Sequence, residues 1–142
     1  MDGNEELLTY IHQNAQMGVR TIEHLLTLVE EDRLTRQLRS QRDGYQHFQR
    51  RAKEQLRLLG RDQEGLSPLE KAKTYLMIQM DTLTDRSSAH IAEMLITGSN
   101  MGILDAAKRI RQYPHARGDV VALVKGLSAF EEDNVQKLKA FL

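Results

Sequence analysis

Apolar residues recur along this chain at steps of three and four, the repeat that places side chains on one face of an α-helix. Leu8, Ile11, Ala15, Gly18, Ile22, Leu25 and Val29 form one such stripe. Asn4 is the expected cap of that helix, with Glu5 and Glu6 in its first turn where the helix dipole favours carboxylates. Charge rises and the phase resets around Glu31 and Asp32, predicting a short connection. A second stripe follows through Leu34, Leu38, Gln41, Tyr45, Phe48, Ala52, Gln55 and Leu59, with Gly60 as a C-terminal cap. Gln41 interrupts it with a polar side chain.

The run RDQEGLS after Gly60 has loop character, and Ser67-Pro68 predicts a new helical start. The segment from Pro68 to about Leu83 is helical in composition but shows no single stripe. Thr84, Asp85, Ser87 and Ser88 cluster as capping residues. From there to Tyr113 runs a helix on which Ile91, Leu95, Gly98 and Gly102 share a face while Met94, Ile96, Met101 and Ile103 lie on others. This breadth predicts a central rod covered by neighbours over much of its girth. Pro114 ends it, and HARGD makes the next loop. The last stripe, Val120, Val124, Leu127, Glu131, Asn134, Leu138 and Phe141, is again polar in its middle.

Four long helical patterns joined by short links, with an extra helical segment in the longest crossover, predict an all-α antiparallel four-helix bundle forming a single domain over residues 1–142. An internal echo supports a duplicated hairpin: NAQMGVRTI, from Asn14, and GSNMGILDA, from Gly98, both place Met-Gly-aliphatic in mid-helix.

Composition narrows the function classes. Twenty basic residues balance twenty acidic ones, and aromatic residues make up 5% with no tryptophan. No net field draws in nucleic acid, and stacking platforms for bases are scarce, so no nucleic-acid partner is expected. Apolar runs are far short of the ~20 residues of a membrane span, and the acidic start does not resemble a signal peptide. Together with the absence of cysteine this predicts a cytoplasmic protein with no membrane partner.

The layout of the chain, and the segments NAQMG, LTDRSSAHIAEML, GSNMG and FEEDNVQKLKAFL, resemble the ferritin-like superfamily and a small bacterial branch of it. The resemblance implies an up-down-down-up order of helices. In metal-bearing members two helices each supply a glutamate and the other two each supply a Glu-x-x-His pair. The corresponding positions here are Gln41 and Gly44, Glu131 and Asn134, and the neighbourhoods of Gly18 and Gly102. Glu131 alone keeps a carboxylate. Two desolvated cations need several anionic oxygens and imidazoles, so the resemblance carries a fold whose di-iron centre is lost, with no cofactor. An interior polar layer of Gln41, Tyr45, Glu131 and Asn134 beside Gly18 and Gly102 is expected in its place.

The alternative is an iron or zinc protein, or an oxidoreductase, with a rebuilt site. Its candidate ligands are His90, Glu93, Glu131, Glu23 and His24, since His90-x-x-Glu93 presents two donors on one side of a helix. A third reading is a carrier of a small apolar ligand in the space around Gly18 and Gly102. Two further features have plainer readings. The basic second helix, with Arg50, Lys53, Arg57 and Arg61 on one face, reads as a solvated surface paired with acids of a neighbouring helix, and Met77, Met80, Met94 and Met101 read as core filler. Surplus apolar surface on the central helix predicts a homodimer, alongside an unknown protein partner. The leading expectation is thus a non-catalytic bundle with a structural or interactional role.

Overall fold

The computed structural model describes residues 2–61 and 83–142. The described residues form four long α-helices and no strand: α1 (Asn4–Leu26), α2 (Asp32–Leu58), α3 (Ser88–Gln112) and α4 (Gly118–Leu138), the last running into a 3-10 turn at Lys139–Phe141. The expected segment from Pro68 lies outside the described residues, apart from Leu83, which is buried in the core. Met77 and Met80 lie outside them too.

Local chemistry sets the helix ends. Gly3, not Asn4, caps α1, with φ 88° and a Tyr113 ring so close that any Cβ would stand 2.4 Å from it. Asn4 is instead the first helical residue, and its side-chain oxygen accepts the Arg117 backbone N–H at 2.8 Å, tying α1 to the loop before α4. At the end of α2, Gly60 takes φ 74°, letting its own N–H and that of Arg61 reach the carbonyls of Arg57 and Leu56. Ser87 caps α3 by accepting the His90 N–H. Helix α1 stops at Leu26, so Leu28 and Val29 pack from the connection.

The helices are arranged as two close pairs, α1 with α2 and α3 with α4. Leu34, Leu38, Gln41, Tyr45 and Ala52 of α2 are buried as their spacing predicts. Beyond Ala52 the buried position is Leu56 rather than Leu59, which is 40% exposed: a four-residue step follows the 3.6-residue turn better there. On α4 the whole expected stripe from Val120 to Leu138 is buried.

The expectation for α3 needs correction. Of its residues only Ile91, Ala92, Ser99 and Ala106 are buried, whereas α1 buries twelve, and Met101 and Leu104 are 44% and 58% exposed. The organising rod is α1, because Leu7, Leu8, Ile11, Ile22 and Leu25 all lose contact with water. Each such side chain contributes about 1.5–3 kcal/mol on burial. Met101 is therefore not core filler, while Met94 is partly buried against the core.

Candidate functional site

Halfway along the bundle the apolar stripes give way to a polar layer centred on Glu131. This carboxylate is 2% exposed and takes one hydrogen bond on each oxygen. Asn14 Nδ2 of α1 donates to Oε1 at 2.9 Å, and the Tyr45 hydroxyl of α2 donates to Oε2 at 2.8 Å. Helix α3 makes room for it: a Cβ at Gly102 would stand 2.8 Å from Oε1. At Gly18 of α1 a Cβ would stand 2.7 Å from the Tyr45 ring. The two mid-helix glycines thus admit the two large polar groups that meet in the centre.

Aromatic packing fixes the layer from one side. The Phe130 ring stands edge-on to Tyr45 with centroids 5.0 Å apart, and lies against Gly44, where any Cβ would overlap it. On the other side Tyr10 of α1 donates to the Gly102 carbonyl at 3.0 Å. Its ring carries the Arg109 guanidinium at 4.7 Å, held in turn by Asp105.

Burial governs the electrostatics. It pushes the Glu131 carboxyl up to about 7, against the opposing pull of the bonds from Tyr45 and Asn14. The Tyr45 phenol is raised well above its ordinary value, first by burial and then by the Glu131 charge, with the Ser99 hydroxyl opposing. Tyr10 is raised for the same two leading reasons. Both phenols therefore stay protonated donors, and Glu131 is the group that titrates near neutrality.

The expected layer is present in its burial but not in all its bonds. Gln41 and Asn134 are 3% exposed, yet the side-chain nitrogen of each has no hydrogen-bond partner. The network runs instead through Asn14, which carried a signal only in the echoed NAQMG segment. Other interior polar groups gave no warning: Tyr10 is fully enclosed, Ser99 is buried, and His12 is buried with an unpartnered Nδ1. Burial, and then the nearby Lys53, hold that imidazole below its usual pKa.

A cavity of about 40 Å³ lies against the layer. Gln41, Tyr45, Ser99 and Glu131 form its polar wall, and Met17, Gly18, Ile22, Met94 and Leu95 its apolar one.

The residues do not fit a pair of metal ions. Glu131 is the one carboxylate among the buried side chains described, with amides and phenols around it. Among the described residues no three histidines, cysteines or acids gather at one point. The rebuilt-site candidates on α1 and α3 stand away from Glu131: His90 precedes Gly102 by twelve residues, ~18 Å of helix, and Glu23 follows Asn14 by nine, ~14 Å. Glu23 and Glu93 point into water, and His24 and His90 are half-buried. On the basic face of α2, Arg61 pairs with Glu5 of α1 at 3.1 Å and Arg57 with Glu54. Compared with known proteins, the chain matches no family model, no curated protein and no solved structure.

Proposed function

We propose that this chain is an antiparallel, ferritin-like bundle of up-down-down-up order, in which a hydrogen-bonded carboxylate layer stands where relatives of that fold hold two metals. Its role is that of a non-catalytic, self-associating interaction module. The observation that carries this reading is the Glu131 carboxylate, bonded by two neutral donors and roofed by Gly102, with no second buried carboxylate beside it among the described residues.

Contacts between helix ends support the order. Glu5, at the start of α1, meets Arg61 after the end of α2, and Asn4 meets Arg117 before α4. At the opposite end Ser88, starting α3, bonds to Glu31 before α2, and Arg33 lies over the ring of Phe141. Helices α1 and α4 then run one way and α2 and α3 the other. A cytoplasmic setting agrees with the lack of cysteine.

Self-association rests on Met101 and Leu104, exposed on the outer side of α3, with a second copy of the chain as the occupant. Titration of iron(II) and of zinc(II) into the protein tests the central claim: no saturable binding at micromolar concentration is expected, and two equivalents bound per chain would overturn it. Sedimentation at micromolar concentration is expected to give a dimer, which Leu104→Lys converts to a monomer. A monomeric wild type removes the self-association part.

A further inference from the structure

The cavity beside Glu131 combines features that a structural layer does not need. Gln41 lines it, is 3% exposed, and leaves its side-chain nitrogen without an acceptor. An unmet buried donor costs about 1–3 kcal/mol, so an acceptor placed there is strongly favoured. Glu131 lines the same space, and each carboxylate oxygen, having taken one hydrogen bond, can accept another. The site therefore asks for one acceptor and offers a place for one donor.

The remaining walls are different. Met17, Met94 and Leu95 are apolar, and the two thioethers are unbranched and able to repack around a guest. A volume of about 40 Å³ exceeds the room one water needs, roughly 10–15 Å³ on the same measure. It is smaller than the cavities of ~150 Å³ that take an aromatic ring. A guest of three or four heavy atoms fits.

We propose that this cavity is a binding site for a short-chain primary alcohol, its hydroxyl accepting from Gln41 and donating to Glu131 while its alkyl chain lies against Met17 and Met94. A hydroxyl is the smallest group that both accepts and donates, and an alkyl tail matches the apolar wall. An ammonium head has three donors and no acceptor, so it would leave the Gln41 nitrogen unanswered. A purely apolar guest would leave Gln41 unanswered, which turns the expected apolar-ligand carrier into one selecting a polar head. The site stands on the cavity alone and is independent of self-association.

The test is a methyl-resolved NMR titration of the whole protein with n-propanol and with its isomer methoxyethane, which accepts but cannot donate. Above about pH 8, where Glu131 is ionised, saturable shifts at Met17, Thr21 and Met94 are expected for n-propanol, with the ether at least about ten-fold weaker for want of the bond to a charged acceptor. Gln41→Met, close in length and volume, is expected to weaken n-propanol by about five-fold, the loss of one neutral hydrogen bond. The isomer comparison needs no variant, so it stands even if Gln41→Met does not fold. Equal binding of the two isomers would reduce the site to an apolar void, and the absence of saturable shifts would make it a buried water site; either result overturns the proposal.

Discussion

The two helical hairpins solve the same packing problem with different chemistry. In the first, Gly18 of α1 admits the ring of Tyr45 from α2; in the second, Gly102 of α3 admits the carboxylate of Glu131 from α4. The inserted groups then meet, Tyr45 donating to Glu131. Their surroundings differ: α1 is enclosed along its length, whereas α3 buries four residues and exposes Met101 at the position that Met17 holds in the echoed motif. A repeated backbone motif therefore guarantees a close approach at mid-helix but not the burial around it. That is decided by which neighbours the rest of each helix meets.

The widest separation between the hairpins is electrostatic, because among the described residues only the second brings a carboxyl group into the interior. The Glu131 carboxyl titrates near 7 in the folded chain against about 4.5 when unfolded. Between these values the folded state holds the extra proton, so stability is greatest below about pH 4.5 as far as this group is concerned, declines as pH rises, and levels off above 7. A rise of that size corresponds to about 3 kcal/mol. The groups facing Glu131 are Asn14 and Tyr10 from α1 and Tyr45 from α2, with Asp105 and Arg109 of α3 beyond Tyr10; both phenols are raised above their ordinary values and stay protonated through that window. The depressed imidazole of His12 contributes the opposite slope, stability rising with pH up to its unfolded value of about 6.5, and does so in wild type and variant alike. Denaturant midpoints measured from pH 5 to pH 8 should therefore fall in the wild type relative to Glu131→Gln, and a difference between the two that does not change with pH would show that the carboxylate is not held in a dry interior.

Smaller effects test the likeness rather than the difference. Gly18→Ala and Gly102→Ala each force a Cβ into a group that cannot retreat freely, and each should cost about 1–3 kcal/mol despite alanine's better helix propensity. Both displace the same Tyr45-to-Glu131 bond, which can be lost only once. The double variant should therefore be less damaging than the sum of the singles, by more than about 0.5 kcal/mol in a thermodynamic cycle. Strict additivity would show that the two approaches are unconnected. The smallest change is at the rim, where Arg61→Ala removes an exposed pair with Glu5 and should cost about 0.2–1 kcal/mol, with no effect on the pH profile.

Much of the all-helical fold was legible because stripes of three and four residues report burial directly. The α4 stripe, including its polar Glu131 and Asn134, lies in the interior from Val120 to Leu138, with Phe141 beyond it partly buried, and Gly60 and Ser87 cap where their residue types predict. The candidate layer was legible as a set of buried positions, since Gln41, Tyr45, Glu131 and Asn134 interrupt apolar stripes. Its wiring was not. Which amide reaches Glu131 depends on the rotation of α1 relative to α4, and nothing local distinguishes Asn14, bonded to Oε1, from Gln41, whose nitrogen is left without a partner. The reading of α3 as the covered rod failed for a related reason: low charge and scattered methionines mark a helix that tolerates apolar neighbours but do not say whether it has them. His90 and Glu93 have ligand spacing on one helix, yet a centre needs donors from other helices at the same height, and height along a bundle is not written in the spacing of a single helix.

The hydrogen bond between Asn14 and Glu131 joins residues 117 positions apart, and the one between Asn4 and Arg117 spans 113. During synthesis the first hairpin leaves the ribosome long before its partner exists, with the Tyr45 hydroxyl and the Asn14 amide still open to water. The central layer consequently cannot be complete until the final helix is present.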